Sequence, residues 1–288
     1  MKLIERDDYL GRVNDALKEF VPTGNDPVSL AMNYSVENGG KRIRPMLVLE
    51  FCRVCGKDNE AALPFACALE MIHTYSLIHD DLPCMDDDDM RRGKPSCHVK
   101  FGEAYALLAG DALLTLAFET VMKADLSEKQ KNDACLYLAK CAGINGMVGG
   151  QTLDLMNEGK SVTADELKKT DSLKTLALIN AACILGCIAA GADDKMKDAA
   201  EKYANGLGLA FQIVDDILDV TGDSAVLGKP VGSDETNDKS TYVSLLGIEE
   251  SKRTAEKLTN DAKDALNVFG KNGEWLKNLA DKLLNREN

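Results

Sequence analysis

An all-α fold is the architecture that this 288-residue sequence predicts, and three observations support it. Aromatic residues make up only 5% of the chain, and alternating runs of Val, Ile or Thr are scarce, so strand signals are weak. Apolar residues recur with helical spacing along most of the sequence. The prolines leave the whole stretch between Pro95 and Pro230 open to long helices.

The helical pattern divides into ten segments, which predicts a bundle of about ten or more helices. Segment 172–191 is apolar on nearly all sides, as expected for a helix in the middle of a bundle. No stretch rich in Pro, Gly or Ser separates two halves, so a single domain over residues 1–288 is expected. The predicted helices lie near residues 5–20, 28–38, 42–55, 60–82, 102–124, 128–157, 163–190, 194–221, 240–267 and 273–286.

Composition restricts the partners and the compartment. A formal net charge of −13 argues against nucleic-acid binding, and an anionic substrate therefore needs a local basic patch or bound cations. The N-terminal segment is acidic and amphipathic, and we find no apolar run of about 18 residues, so neither export nor stable membrane insertion is expected. Nine cysteines, an odd number, fit a reducing cytoplasm. The isolated pair Cys52 and Cys55 favours helical thiols over a redox or zinc site.

Two aspartate-rich segments carry the chemical signal. The first, HDDLPCMDDDDMRRG, contains Asp80, Asp81 and Asp86, and the second, FQIVDDILD, contains Asp215, Asp216 and Asp219. Asp215 and Asp219 are one helical turn apart in apolar sequence, where carboxylates are unfavourable unless cations compensate them. Taken alone, Asp86–Asp89 would rather be a solvated acidic surface. Oxygen ligands without a His/Cys set favour magnesium over zinc, and the spacing does not match an EF-hand.

Basic residues accompany both clusters. Arg91 and Arg92 follow the first cluster directly, and the segment GGKRIRP supplies further lysine and arginine side chains after a glycine pair. Carboxylates repel a diphosphate, so clusters of this kind bind one only through bridging cations. His73 and Asp80 are seven residues apart, about 20° on a helical wheel, so one helix directs both to one side. Pro83 disrupts the following turn, which would return Asp86 toward the same site.

Eight segments together resemble the trans-isoprenyl diphosphate synthases, in the order and spacing of the bacterial farnesyl diphosphate synthases. They are GGKRIRP, HTYSLIHDDLPCMDDDDMRRGKPSCH, GEAYALLAGDALL, GGQTLDL, LKTLALI, FQIVDDILD, GKPVGSD and KSTYVSLLG, and they cover residues 30–250. The resemblance implies mostly antiparallel helices around a deep central cavity and a homodimer. It also implies Mg²⁺ as the cofactor, about three ions per active site, with Mn²⁺ able to substitute. The implied substrates are isopentenyl diphosphate and an allylic diphosphate, dimethylallyl or geranyl.

The resemblance also assigns roles to individual residues. The implied magnesium ligands are Asp80, Asp86 and Asp215, with Asp81 in support and with Asp216 and Asp219 holding the ion of the second motif. The implied contacts of the allylic diphosphate are Arg91, Lys174 and Lys229, assisted by Lys239. The implied contacts of the isopentenyl diphosphate are Lys41, Arg44, His73 and Arg92. Thr175 and Gln212 are implied to lie near the reacting carbons, with Gln151 and Phe211 as weaker candidates.

Product length is expected to depend on the residues one turn before Asp80. In the family, a large aromatic residue at this level stops chain growth early, so Tyr75 indicates a fifteen-carbon product. Ser76 lies on the Asp80 face of an ideal wheel and Tyr75 on its flank, so a twenty-carbon product is the alternative. Leu176 and Val243 depart from the glycine and proline usual in the family. A terpene cyclase and a non-catalytic partner subunit are disfavoured because both aspartate motifs and the basic set are present.

Overall fold

Helices form nearly all of the regular structure in the computed structural model, which describes residues 6–221 and 240–286. The predicted all-α fold is thus observed. The described residues divide into two compact units: the first comprises residues 6–138 and 185–191, and the second comprises residues 139–184, 192–221 and 240–286. The expectation of a single domain remains a prediction.

The first unit is built around two helices that are buried along most of their length. Its helices are α1 (Arg6–Phe20), α2 (Pro27–Glu37), α3 (Ile43–Val54), α4 (Leu63–Asp80), α5 (Cys97–Phe101), α6 (Glu103–Met122) and α7 (Glu128–Ala142), of which the last four residues belong to the second unit. The core side chains come mainly from α3 and α4, among them Leu47, Phe51, Leu69 and Met71, none of which is exposed. Burial on all sides explains why the sequence of α4 shows no clear polar face.

A buried ion pair fixes the segment GGKRIRP within this unit. Arg42 has a left-handed backbone conformation, with φ of 49°, and immediately precedes α3. Its Nη1 donates to Glu70 Oε1 at 2.5 Å, and both side chains are only 2% exposed. Its Nε also donates to the Asn14 side chain at 3.1 Å. Arg42 therefore holds the loop in place. By contrast, Lys41 is exposed and Arg44 is half-buried.

The second unit is built around its longest helix, which carries the second aspartate motif. Its helices are α8 (Met147–Asn157), α9 (Ala164–Asp171), the first part of α10 (Ala177–Ala190), α11 (Asp194–Thr221), α12 (Tyr242–Leu246), α13 (Ile248–Ala265) and α14 (Glu274–Leu284). A π-helical turn, Ser172–Leu176, joins α9 to α10, and a 3₁₀ segment, Leu266–Gly273, precedes α14. Leu209, Ile213 and Ile217 of α11 pack with Tyr242 and Leu176 in its core.

Glycines interrupt two of the predicted helices. The predicted helix 128–157 is two helices, because the chain turns at residues 143–146, and a side chain at Gly146 would lie 2.8 Å from the Cys141 Cα. The predicted helix 240–267 is also two helices, separated by Gly247 with φ of 79°. The strands of the described part are two-residue pieces, Met90–Arg91 and Lys94–Pro95, which pair antiparallel.

Within residues 6–221 and 240–286, three helices are long and apolar enough to cross a membrane by length and composition, contrary to the expectation that such runs are absent. They are Asn59–Asp80, Glu103–Met122 and Ala164–Ala190. In the first and the third, 72% and 67% of the apolar window is buried inside the protein, against 44% in the second. Two of the three runs are thus explained by the bundle core.

All nine cysteines are free thiols in the structure. Cys52 is buried, and burial raises its pKa to about 12. Cys55 is half-buried, and its Sγ lies 3.8 Å from that of Cys187. Cys52 lies in α3 and Cys55 in the turn directly after it, so only the first of the two is a helical thiol.

Candidate active site

The first aspartate motif begins where α4 ends. The backbone N–H of Asp86 donates to the carbonyl of Asp80 at 2.8 Å, so the segment after Pro83 folds back onto the helix end, as the sequence predicts. Asp86 is exposed and Asp80 is half-buried. The fold-back brings together two residues that a straight helix would place about 240° apart.

Asp81 has a different environment from Asp80 and Asp86. It is buried and accepts hydrogen bonds from Arg91, with Nε to Oδ1 at 2.9 Å, and Arg91 also contacts Asp88 at 3.1 Å. Burial raises the pKa of the Asp81 carboxyl, and Arg91 opposes that rise. Asp81 and Arg91 are therefore bound to each other here, and the predicted contact of Arg91 with the allylic diphosphate remains a prediction.

A second group of predicted residues forms a concentrated positive site. Arg44 Nη1 lies 3.5 Å from His73 Nε2, and Arg92 donates to the carbonyl of Gly39. A side chain at Gly40 would lie 2.6 Å from the Arg92 Cζ, so glycine is required for this approach. Burial, followed by the charges of Arg44 and Arg92, holds the pKa of His73 well below its ordinary value.

This group has one unsatisfied donor. Within residues 6–221 and 240–286, the buried Nε of Arg44 has no hydrogen-bond acceptor. Burial lowers the pKa of Arg44, and the Glu70 carboxylate partly restores it. Buried polar groups are normally hydrogen-bonded, so an uncompensated guanidinium N–H beside a neutral imidazole is suited to receive an anion. Lys41 is exposed on the preceding loop.

The predicted chain-length residues lie on α4 between His73 and Asp80. Tyr75 is only 6% exposed, and burial and the Asp80 charge together raise its pKa to about 12. Ser76 is half-buried, and its hydroxyl donates to the His73 carbonyl at 2.9 Å. The hydroxyl of Ser76 is thus committed to its own helix, whereas Tyr75 is a buried aromatic side chain influenced by Asp80.

In the second unit, the π-helical turn presents Lys174 and Thr175. π-helical turns often occur at functional sites, because they change the direction of a few side chains. Lys174 Nζ contacts Asp154 Oδ2 at 2.5 Å. A side chain at Gly150, in the segment GGQTLDL, would lie 2.5 Å from the Lys174 Cα, so this glycine admits the turn. Gln151, the next residue, is half-buried and its Nε2 has no acceptor among the described residues.

A cavity of about 180 Å³ lies entirely in the second unit. It brings together four of the predicted site residues, which are Lys174, Thr175, Gln212 and Asp216. Its wall also contains three acidic residues to which the sequence analysis gave no role, Asp154, Glu158 and Asp171. Asp154 belongs to the quoted segment GGQTLDL, so a signal for it existed in the sequence, whereas none existed for Asp171.

The three carboxylates of the second motif have different partners. Asp216 accepts the backbone N–H of Tyr242 at 2.8 Å and Gln212 Nε2 at 3.2 Å. Asp215 contacts Arg286 Nη2 at 2.7 Å, and Asp219 is buried. On α11, the Asp216 carboxylate is therefore bound to a backbone N–H, and the Asp215 carboxylate lies beside the Arg286 guanidinium.

Arg286 is the functional candidate that sequence reasoning missed most completely. Its guanidinium lies 3.8 Å from the centre of the Phe211 ring and donates to the Phe211 carbonyl at 2.9 Å. The side chain is only 8% exposed, and burial lowers its pKa against the effect of Asp215. Arg286 lies outside the eight motif segments, so no sequence signal pointed to this position.

Asp171 is a buried acid with neighbours of the same charge. Burial, followed by the charge of Asp216, raises the pKa of its carboxyl to about 7. Tyr242 and Lys174 act in the opposite direction. Its Oδ2 has no hydrogen-bond partner in the described part of the chain.

The donor chemistry of both motifs fits Mg²⁺. The aspartates of both motifs offer carboxylate oxygens, the ligands that this ion prefers, and a diphosphate would complete the coordination. No three His, Cys, Asp or Glu side chains converge as a ready metal group within residues 6–221 and 240–286. Lys229 and Lys239, two predicted contacts of the allylic diphosphate, lie outside the described residues.

Comparisons with known proteins show what the chain is similar to. The polyprenyl synthetase family model matches residues 25–271. Farnesyl diphosphate synthase of Escherichia coli is 48% identical, with 96% of this chain and 95% of that protein covered. Geranylgeranyl diphosphate synthase of Cyanophora paradoxa is 45% identical, with coverage of 96% and 93%.

A solved structure gives the same result at the level of the fold. The FPP/GFPP synthase of Zymomonas mobilis superimposes with a TM-score of 0.87 and 36% identity, over 97% of both chains. The resemblance inferred from the motifs is confirmed, and the chain belongs to the polyprenyl synthetase family.

Proposed function

We propose that the protein is a magnesium-dependent prenyltransferase that condenses isopentenyl diphosphate with dimethylallyl or geranyl diphosphate, mainly to farnesyl diphosphate. The observation that carries the proposal is the positive group of Arg44, His73 and Arg92, with its buried unsatisfied N–H. Such a group suits one diphosphate. Lys174 and the aspartates suit a second diphosphate. The similarity to farnesyl diphosphate synthases supports a reaction between two diphosphate substrates.

The first unit holds the nucleophilic substrate. Arg44 and Arg92 neutralise the diphosphate of isopentenyl diphosphate, assisted by Lys41. His73 stays neutral because its pKa is low, so it serves as a hydrogen-bond partner rather than as a charge. Fixing this diphosphate positions the double bond for attack.

The allylic substrate is bound and ionised by a second set of groups. Asp80, Asp86 and Asp215 would hold Mg²⁺, which would neutralise the diphosphate and make it a better leaving group. Lys174 leaves Asp154 to contact the same diphosphate. Asp216, anchored on the Tyr242 N–H, keeps the second motif oriented, and Arg91 remains with Asp81 until the substrate binds.

The reaction requires no covalent bond between enzyme and substrate. The allylic C–O bond breaks and its electron pair leaves with the diphosphate. The isopentenyl double bond then forms the new C–C bond, and loss of a proton to the departed diphosphate restores an alkene. The protein contributes positioning, electrostatic stabilisation and an apolar environment.

Tyr75 favours a fifteen-carbon product, and a twenty-carbon product is the alternative. The Tyr75 side chain is buried beside the charge of Asp80, as expected for a residue that ends a growing chain near the reaction centre. The relatives include both farnesyl and geranylgeranyl diphosphate synthases, so the family alone does not select between the two lengths.

We further propose that the chain acts as a single-domain homodimer in the cytoplasm. Large apolar side chains are exposed on α6 and α7, including Tyr105 at 44%, Leu108 at 50% and Leu136 at 73%. Association of two copies would cover such side chains. Nine free thiols agree with a reducing compartment. Light scattering on the purified protein measures the assembly directly: a monomer would overturn the dimer.

Substitution of one aspartate in each motif tests the proposal. Asp80→Ala and Asp215→Ala should each lower condensation at saturating magnesium by at least roughly a hundredfold, because each removes a ligand that stabilises the leaving group. Asp198→Ala, at an exposed position on the same helix as Asp215, is the matched control and should retain normal rates.

Circular dichroism and thermal melting show whether each variant stays folded. Near-normal turnover in either motif variant would refute the metal-bridged model. A cyclic hydrocarbon in place of a linear diphosphate would identify a terpene cyclase instead.

A further inference from the structure

His79, a residue with no assigned role, connects the chain-length residue to a neighbouring helix. It lies one turn after Tyr75 on α4, so the two side chains share a face. Their rings meet edge to face, with centroids 5.6 Å apart and planes at 77°. This geometry is the favourable one for an aromatic pair.

The same imidazole is fixed on α6. His79 Nε2 lies 3.1 Å from the carbonyl oxygen of Leu107. A carbonyl oxygen only accepts, so Nε2 is the nitrogen that carries the proton in this hydrogen bond. Asp111 Oδ1 is 4.0 Å from the same nitrogen. One edge of the His79 ring is therefore attached to α6, and the ring also contacts Tyr75.

Gly110 provides the space that this arrangement needs. It is buried in the interior of α6, where glycine is destabilising relative to alanine. A Cβ at this position would overlap the His79 ring, at 2.5 Å from its Cδ2. Glycine is thus required by the position of His79 rather than by the backbone of α6.

We propose that His79, seated on Gly110, is a positioning residue that holds the Tyr75 ring where it stops chain growth. The inference rests on the proposed function and deepens it, because Tyr75 acts as a stop only while its ring keeps one orientation. Loss of the pairing frees the ring to turn aside, and the growing chain extends by a further isoprene unit. His79 touches neither substrate in this account.

Product length measures the effect directly. With magnesium, isopentenyl diphosphate and geranyl diphosphate, His79→Ala and Gly110→Ala should each raise the ratio of twenty-carbon to fifteen-carbon product by roughly two- to tenfold, the range expected for loss of one aromatic pair. Gly186→Ala is the matched control, because its Cβ would lie 2.7 Å from the Phe51 Cβ, within the first unit but far along the chain from Tyr75. It should change stability without changing the product ratio.

A double variant separates positioning from a direct contact with the product. In a Tyr75→Ala background, His79→Ala should have no further effect on product length, because there is no ring left to hold. An effect of equal size in that background, or an unchanged ratio in the folded His79→Ala single variant, would overturn the proposal. Should Gly110→Ala fail to fold, His79→Ala alone decides.

Different results would refute the proposed function and the positioning role of His79. Wild-type protein that forms no condensation product would refute the function. Normal fifteen-carbon synthesis with product lengths unaffected by His79→Ala would refute only the positioning role.

Discussion

Replacing Asp171 with asparagine should stabilise the protein, and more so as the pH rises. The carboxyl is 9% exposed, lines the cavity of the second unit and faces Asp216. Burial and that charge raise its pKa from 3.8 to about 7. Asparagine has nearly the same shape and carries no charge, so the substitution removes the electrostatic cost while keeping the packing.

The sign and size of this pH-dependent stabilisation follow from proton linkage. The folded protein retains a proton on Asp171 that the unfolded chain releases, so this residue lowers stability as the pH rises from about 4 to about 7. At about 1.4 kcal/mol per pKa unit, the full penalty above pH 7 is roughly 4 kcal/mol. Between pH 5.5 and pH 8 the advantage of Asp171→Asn should widen by roughly 2 kcal/mol, or about 4 °C in melting temperature.

Thermal unfolding of both proteins across this pH range, with magnesium chelated, checks the prediction. Asp165→Asn, at an exposed position on the same helix, is the control and should show no widening. A stability difference for Asp171→Asn that stays constant with pH, or that narrows as the pH rises, would refute the reasoning.

Three further substitutions test other parts of the site. Gly150→Ala should destabilise the protein by about 1–3 kcal/mol and lower its activity, because the new Cβ meets the Lys174 backbone; urea unfolding and turnover measure the two effects. Arg286→Gln should lower the magnesium concentration for half-maximal binding roughly two- to fivefold, since the arginine competes for Asp215; the fluorescence of the single tryptophan during a magnesium titration reports it. His73→Gln should make the protein lose less stability as the pH falls below about 6.5. The unfolded chain binds a proton on His73 in this range and the folded protein does not, because the pKa of the buried imidazole is low. Thermal unfolding as a function of pH measures the effect, and an unchanged loss of stability in acid would contradict this.

Much of the fold follows from local patterns in the sequence. Apolar periodicity and the proline positions place the helices, and Pro83 predicts the return of Asp86 to Asp80 that the backbone hydrogen bond confirms. The same patterns do not separate helices that meet at a glycine, because Gly146 and Gly247 act through φ angles and close backbone approaches rather than through polarity.

The residues that could not be predicted are those whose roles depend on contacts between distant parts of the chain. Arg42 looks like another phosphate-binding cation in the sequence, and only the fold shows it paired with Glu70. Asp171 resembles any helical acid until burial beside Asp216 alters its pKa. Arg286 reaches Asp215 from 71 positions away in the sequence, so no spacing rule could have found it.

A condensation assay with the purified wild-type protein tests directly whether the chain is a magnesium-dependent prenyltransferase. It is incubated with isopentenyl diphosphate and dimethylallyl diphosphate, with magnesium or with a chelator, and the products are identified by mass spectrometry. We expect linear farnesyl diphosphate and free diphosphate in the presence of magnesium, and neither when the metal is chelated. Failure to form any new carbon–carbon bond with magnesium present would contradict it.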